Sequence, residues 1–580
     1  MRGSAARFAL ALLLPLTQAE SAQLSVRIRP LWQGRPLVMN EVGLTRPTGG
    51  RVSVTRLAML LSQARLRDSE GRWIGADAWA EFVDAGSGRL SFQLDGIPAG
   101  AYSAFRFDLG LDEKTDRAEV TRWPASHPLN PSVNGLHWSW RGGHVFCAVE
   151  GLHELSGGQI AGYSFHLAGQ ACRGTVEVPV QLDLTDRPAR TLVLNLHADR
   201  FFDAVHAIDL SASDSTHSAD DDPLAARLAD NAIHMFGLEQ VTPEGLAVST
   251  QDAPGADIPG WLKERIPAHF PRMKLPADNP LTKAGAALGR TLFHDLRLSS
   301  NNRQSCASCH DATHALSDAR RFSLGAEGRA GTRQAMPLFN LAWKPAYFWD
   351  GRSPSLRDQV LRPIQDPDEM HETLPRAVAK IQDLGPAFAS AFGSNDITPE
   401  RIARALEQHL LTLVSGSSPM DRTVTEDHKL SAREQRGFTL FFTESDPGRG
   451  IRGADCFHCH GGALFSNHQF LNNGLDADET FKDEGRARVT GLRADRGRFM
   501  VPSLRNIDLT APYMHDGRFA TLEEVIEHYD HGIRPSSSLD PNLAKQLRHG
   551  GLGLSQEDKD ALVAFLKSLT DDAFARESSP

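Results

Sequence analysis

Cys306-Ala307-Ser308-Cys309-His310 and Cys456-Phe457-His458-Cys459-His460 decide how the rest of the chain is read. Each is a C-x-x-C-H, the pattern of covalent c-type haem attachment. Two thiols three residues apart can add to the two vinyl groups of one porphyrin, and the adjacent imidazole is then held under the iron as proximal ligand. A C-x-x-C alone also serves as a redox dithiol or as half a zinc site. Two copies, each followed at once by His, use four of the six cysteines and leave no thiols for a zinc quartet. The chain is therefore read as carrying two haems, one on Cys306, Cys309 and His310, the other on Cys456, Cys459 and His460.

At 580 residues several domains are expected. Hydrophobic and charged fractions of 41% and 23% are ordinary for a globular protein, and a net charge of −10 gives no reason to expect nucleic acid or an anionic membrane as partner. Residues 1–19 read as a secretory signal: Arg2 and Arg7, the apolar run Phe8–Leu16, then Thr17-Gln18-Ala19 as cleavage site. No later apolar run approaches the length of a membrane span. The expected location is the periplasm, where the remaining pair, Cys147 and Cys172, is expected to form a disulfide.

From Gln23 to about Asp209 apolar residues alternate, as in Leu24, Val26 and Ile28 or Val176, Val178 and Val180, between Gly, Pro and Asp clusters. That period predicts an antiparallel sandwich. Ser211–Pro223 reads as a polar linker and Leu224–Phe236 as a short helix. Beyond about Leu275 the period becomes helical: Thr398 caps a helix with Pro399 at its first position, and Ser555 with Asp558 forms a capping box. The predicted class is multidomain: an all-β sandwich-like domain (20–250), then two tandem, mainly α cytochrome c-like domains (251–420 and 421–580).

The helical half repeats itself. Gly289-Arg-Thr-Leu-Phe293 precedes the first haem motif and Gly437-Phe-Thr-Leu-Phe441 the second. Tyr347-Phe-Trp-Asp-Gly-Arg352 matches Tyr513-Met-His-Asp-Gly-Arg518 at an offset of 513 − 347 = 166. Function should diverge where the copies differ. The same offset pairs Pro363, which has no side-chain donor, with Tyr529, whose phenol can ligate iron. The first haem is thus expected to keep an open sixth position and the second to be held by His460 and Tyr529, with Met514 and Met500 as rival ligands. Near the open position, Gln359, Gln365 and Glu369 supply polar groups, and a carboxylate there can move a proton between the oxygens of peroxide. Trp349 stands where the second copy has His515, placed to relay electrons between haems.

These residues give the helical half, about Leu275 to Leu569, its resemblance to the bacterial dihaem cytochrome c peroxidases and their MauG-like relatives, which oxidise protein side chains. Trp349, Gln359 and Glu369 match the inter-haem Trp and the peroxide-pocket Gln and Glu. Thr510 and Pro512 match backbone contributors to an inter-domain calcium site, with Gln334 in place of the usual Asn. Two departures stand out. Tyr529 replaces the Met usual in the peroxidases, and Ala326 stands where many of them carry a His that blocks the resting peroxide haem. Together they imply an enzyme that needs no reductive priming.

His137-Trp138-Ser139-Trp140 and Ser164-Phe165-His166 lie near the non-haem cysteines, and imidazoles suit copper. Pro128–Trp140 resembles the methanobactin-associated (MbnP-like) copper-binding family, whose dihaem partner converts a Trp to kynurenine. The resemblance implies copper at His137 and His166, and Trp138 or Trp140 as the modified residue. The expected function is a periplasmic dihaem peroxidase, with hydrogen peroxide as acceptor. Electrons come from a small donor protein (a cytochrome c or cupredoxin) or from a Trp of the chain's own front domain. The alternative is a copper-binding, electron-transfer protein without peroxidase turnover.

Overall fold

The computed structural model describes residues 22–574 apart from 42, 76–78, 119–121, 124–126, 139–142, 156–159, 187–188, 217, 219–221, 243–256, 271–272, 274, 426–427 and 446–451. Residues 1–19, read above as a secretory signal, and Trp140 lie outside the described residues, as does the side chain of Trp138.

The front domain is two β-sheets around one core. Its strands are β1 (Ala22–Trp32), β2 (Arg56–Asp68), β3 (Ala101–Leu109), β4 (His137–Trp138), β5 (Gly143–Glu154), β6 (Ile160–Ala168), β7 (Gly174–Asp183) and β8 (Arg190–His197), followed by helix α1 (Pro223–Ile233) and β9 (Phe236–Thr242). The larger sheet runs β7-β3-β2-β5-β6, with β4 turned back on β5; the smaller runs β9-β8-β1. Strand β7 alternates buried and exposed residues, and Val176, Val178 and Val180 enter a core shared with Leu24, Val26, Phe105, Phe107, Leu192 and Leu194. Each such side chain is worth about 1.5–3 kcal/mol when fully buried.

Two expectations for this domain are corrected. The sandwich is not wholly antiparallel: β1 and β8, far apart in sequence, pair in parallel from Leu24↔Arg190 to Leu31↔His197. Nor is 211–223 simply a linker. Ser215–Thr216 adds to the edge of β6, and Ser218 Oγ holds the Ala168 amide at 3.0 Å. Polar side chains in this stretch satisfy the open strand edge, which composition alone cannot report.

The helical half is two units of one plan. In the first, α2 (Lys283–Phe293) crosses α4 (Pro399–Leu411), and α3 (Leu356–Gln365) packs beside them. In the second, α5 (Ala432–Phe442) crosses α8 (Gln556–Lys567), with α6 (Leu522–Glu527) alongside, while α7 (Pro541–Arg548) lies against β6 of the front domain. The repeated glycines have a packing cause. A Cβ on Gly289 would overlap the Ala405 carbonyl, and one on Gly437 the Ala561 carbonyl, so each helix pair touches backbone to backbone. Thr398 caps α4, and Ser555 with Asp558 boxes the start of α8. Tyr347 and Tyr513 repeat one bond, each hydroxyl donating to a backbone carbonyl six residues back at 3.1 Å.

The units meet on a pseudo-symmetric pair of bonds. Gln334 N donates to His515 O at 2.8 Å, and Met500 N donates to Trp349 O at 2.7 Å. The 166-residue offset turns one bond into the other. The end of the chain also crosses back: Asp571 accepts from the amides of Gly416 and Ser417 at 2.9 and 3.0 Å.

The outer face of the larger front sheet docks on unit two. Phe457, inside the second haem motif, packs against Ala58, Leu60, Phe82, Phe146 and Ala148. Helix α7 lies so close to β6 that a Cβ on Gly162 would meet the Pro541 carbonyl. Asn542 Nδ2 donates to Glu150 at 3.2 Å, and Arg498 to Asn40 at 2.7 Å. Among the described residues no helix is long and apolar enough to cross a membrane.

Candidate functional site

In the first unit the haem motif is a single tight turn, with Ser305 N donating to Ser308 Oγ at 3.0 Å. Ala315 and Leu316 both take left-handed backbone (φ 49° and 61°), which brings the Leu316 carbonyl to His310 Nδ1 at 2.9 Å. A carbonyl can only accept, so Nδ1 carries the proton and Nε2 keeps its lone pair for a metal. Burial also lowers the pKa of His310, favouring the neutral ligand form. Above the motif lies a cavity of about 610 Å³. Cys306, Cys309, His310, Trp349, Gln359, Pro363 and Glu369 all line it. These residues fit a c-type haem with one axial imidazole.

Local structure places the polar groups. Ser355 caps α3, which presents Gln359, and the chain after Pro363 folds back so that Met370 N reaches Pro363 O at 3.1 Å. That return turns Glu369 into the cavity. A second loop clamps it: Ala326 N donates to Glu369 O at 2.6 Å, and Gly325 approaches Asp368 too closely for a Cβ. Ala326 offers only a methyl group. The Glu369 carboxyl is pushed up to about 7, chiefly by burial, with the charges of Asp366 and Asp368 adding and Arg352 opposing. Gln365, by contrast, is exposed and bonds its own helix at Leu361 O.

Trp349 is buried at the seam between units, its indole N–H donating to Gln334 O at 2.9 Å. Gln334 thereby uses its backbone carbonyl on Trp349 and its Nε2 on Asp318 O at 3.1 Å, leaving its amide oxygen as the donor it can offer calcium. Thr510 is buried nearby in sequence to Pro512, which follows a cis peptide.

In the second unit His460 Nδ1 reaches Phe465 O at 3.2 Å, the counterpart of the first motif's bond, and burial lowers that imidazole to about 4. Tyr529 sits in the wide turn His528–Gly532 after α6. Burial raises the pKa of its phenol, and Asn473, whose Nδ2 is 3.4 Å from the hydroxyl, works the other way. The same Nδ2 lies 3.3 Å from Met514 Sδ, so the phenol and its rival thioether share one neighbour. Met500 instead pairs with Phe470 in a short ribbon.

Two expectations for the front domain concern its cysteines and histidines. Cys147 and Cys172, the pair expected to bridge, are both buried, and Cys172 turns its sulfur to Ser218 Oγ at 3.5 Å. Burial, reinforced by the adjacent Cys172, pushes the Cys147 thiol up to about 12. Among the described residues, His166 belongs to a possible ligand cluster that does not include His137. His137 packs edge-on against His144, ring centroids 4.9 Å apart, because β4 and β5 pair His137 with His144; burial lowers it to about 4. His166 meets Glu150 and His458 instead. His144, Glu150 and His458 were missed in sequence reasoning. The short sequence separation of His144 from His137 was a signal for the first, while His458 was hidden as an unspecified position of the haem motif.

A second cavity, about 1100 Å³, is bounded by all three parts of the molecule: His137 and Glu150 from the front domain, Lys344 and Tyr347 from unit one, His458, Cys459 and His468 from unit two. The hairpin bearing Trp138 thus borders the same space as the second haem motif. Burial lowers Lys344 to about 8.

Comparison with known proteins agrees with this division. The family model described as di-haem cytochrome c peroxidase matches residues 283–429, and the MbnP model matches residues 21–219. The methylamine utilization protein MauG of Methylophilus methylotrophus is 35% identical over 324 residues, 55% of this chain and 91% of that protein. Cytochrome c551 peroxidase of Nitrosomonas europaea is 34% identical over 315 residues, 53% of this chain and 85% of that one. A crystal structure of a MauG-like protein associated with microbial copper homeostasis is 33% identical, covering 53% of this chain and 96% of that one at a TM-score of 0.49.

Proposed function

The chain belongs to the dihaem cytochrome c peroxidase family that includes MauG, and from that premise we propose that it is a periplasmic enzyme reducing hydrogen peroxide in unit one with electrons drawn through unit two. The haem on Cys306, Cys309 and His310 supplies, when bound, the iron at which peroxide is reduced. The observation that carries the reading is the shared cavity of His310, Gln359, Glu369 and Trp349, with a carboxyl whose pKa is about 7. Such a group accepts and returns a proton at neutral pH with little driving-force penalty. Glu369 would take the proton from one oxygen of peroxide and return it to the other, which leaves as water as the O–O bond breaks, with the two electrons the reduction needs replenished through unit two. Gln359 orients the substrate by its amide. Neither Pro363 nor Ala326 offers a side-chain ligand of its own. Trp349, fixed by its bond to Gln334 O and by Met500 N, is the rigid aromatic bridge between units. Gln334, Thr510 and Pro512 would hold calcium at that seam.

His460 and Tyr529 would hold the second iron when its haem is bound. A phenolate favours oxidised iron more than a thioether does, which suits a centre that pulls electrons from a protein side chain. The donor is a small cytochrome c or cupredoxin, or else Trp138 or Trp140 of the front domain. The cavity shared by His137 and the second motif supports the self-oxidising route. In that route His137 and the modified Trp supply copper donors within the front domain.

The test is the visible and EPR spectrum of the dihaem protein before and after stoichiometric peroxide, followed by tandem mass spectrometry of the front domain. One high-spin and one low-spin haem, peroxide consumption without prior reduction, and oxygen gain at Trp138 or Trp140 are expected. Two low-spin haems indifferent to peroxide in every redox state would overturn the proposal and leave a copper-binding electron carrier.

A further inference from the structure

Where the front domain meets unit two, side chains from four separate stretches converge out of solvent. Glu150 comes from β5, His166 from β6, Glu444 from just after α5, and His458 from between the two cysteines of the second haem motif. Their side chains are 3–7% exposed. His166 Nε2 lies 2.9 Å from Glu150 Oε1, His166 Nδ1 lies 3.7 Å from Glu444 Oε2, and His458 Nε2 lies 3.6 Å from Glu444 Oε1. The two imidazole centroids are 5.2 Å apart. One donor atom from each of Glu150, His166 and His458 falls within 4.8 Å of the other two. Donors about 2.0–2.2 Å from one tetrahedral ion lie roughly 3.3–3.6 Å apart, so a small inward shift of these side chains seats it.

A second observation points to a ligand. His458 Nε2 is fully enclosed and makes no hydrogen bond, and neither do Asn542 Oδ1 and Gln546 Oε1 on the adjoining helix α7. Buried polar atoms are ordinarily satisfied, and an imidazole nitrogen left open beside carboxylates and a second imidazole marks a place for an ion. The surrounding charges define which carboxylate serves. Lys545 Nζ sits 2.8 Å from Glu444 Oε1 and 4.0 Å from Asp455 Oδ2, so Glu444 already has a close cationic partner. Glu150 is touched by Arg56 at 2.9 Å, which is one-fifth exposed, and by Asn542 at 3.2 Å, which leaves lone pairs on both oxygens.

We propose that Glu150, His166 and His458 bind one divalent first-row transition ion of the zinc(II) or copper(II) type, which clamps the front domain onto the second haem motif. Two imidazoles and a carboxylate suit such borderline ions. Calcium and magnesium want oxygen alone, and copper(I) wants softer sulfur. Binding releases to solvent the proton that His166 shares with Glu150, since the ion takes the Nε2 lone pair. Two ligands belong to one domain and the third to the other, so the ion is held only when the domains are docked. This site is separate from any copper held at His137 and does not depend on peroxide turnover.

The experiment uses the full-length dihaem protein, stripped with chelator, dialysed against micromolar zinc chloride and assayed for zinc against its own iron. One zinc for every two irons is expected. His458→Gln and His166→Gln should each weaken retention by roughly 10- to 100-fold or more, with both haem spectra intact as proof of folding. His166→Gln lies outside the haem motif, so it stands even where the other variant fails to mature. His137→Ala should retain the zinc. No zinc, or zinc retained equally in both glutamine variants, would overturn the proposal and leave an ion-pair network only. Loss confined to His137→Ala would also overturn it, placing the ion on the β4 hairpin.

Discussion

Glu369→Gln keeps the size of the side chain and removes its ability to exchange a proton. At its ordinary pKa of 4.5 a glutamate would hold a proton in only about one molecule in 300 at pH 7. Burial, with Asp366 and Asp368 beside it, raises Glu369 to about 7, so both forms are abundant. Loss of a positioned acid–base group costs about 10²- to 10⁴-fold in rate, and that is the fall expected in the second-order constant for peroxide, read by stopped-flow absorbance. In the unaltered protein that constant should rise as pH passes through about 7, because the ionised carboxylate takes the first proton; in the variant this inflection should vanish. Asp366→Asn and Asp368→Asn should each move it toward acid, and Arg352→Gln the other way. Stability carries the same signature. The folded-state value lies above the unfolded one, so the contribution of Glu369 is fully present below about 4.5 and lost as pH rises through about 7. Glu369→Gln should therefore gain stability relative to the parent across that window, measured by denaturant titration. An unchanged peroxide constant in Glu369→Gln, or a parent profile flat between about pH 5 and 9, would refute the assignment.

Other perturbations test the frame. Tyr529→Phe should remove the phenolate signature from the second haem's EPR spectrum and let Met514 bind, since both face Asn473; a spectrum like the parent's would exclude Tyr529 as ligand. Gly289→Ala and Gly437→Ala, which press a methyl into the Ala405 and Ala561 carbonyls, should each cost about 1–3 kcal/mol or more in thermal unfolding. Asp421→Asn should cost about 3–5 kcal/mol by leaving Arg505 buried without its two 2.7 Å carboxylate bonds. Equal melting curves would show that the pair relaxes into solvent.

What the sequence by itself determined is what local spacing enforces. Two thiols and an imidazole must sit at fixed separation to hold a haem, so both motifs are legible. The 166-residue offset exposes the duplication, and the change from period two to a helical period separates the front domain from the cytochrome half. Thr398 and Ser555 mark helix starts because a cap bonds within three residues. Glu369 could be picked out as a carboxyl near the open position, but its pKa could not, since burial and two neighbouring aspartates set it. Only the tertiary structure decided the parallel pairing of β1 with β8, the bonds that exchange Gln334–His515 for Met500–Trp349, and the parting of His137 from His166. These depend on groups more than a hundred residues apart, or on which face of a strand a side chain takes, and a sequence records neither. His458 shows the limit most clearly: its place between Cys456 and Cys459 makes it look incidental, and only the docking of β5 and β6 gives it Glu150 and His166 as neighbours.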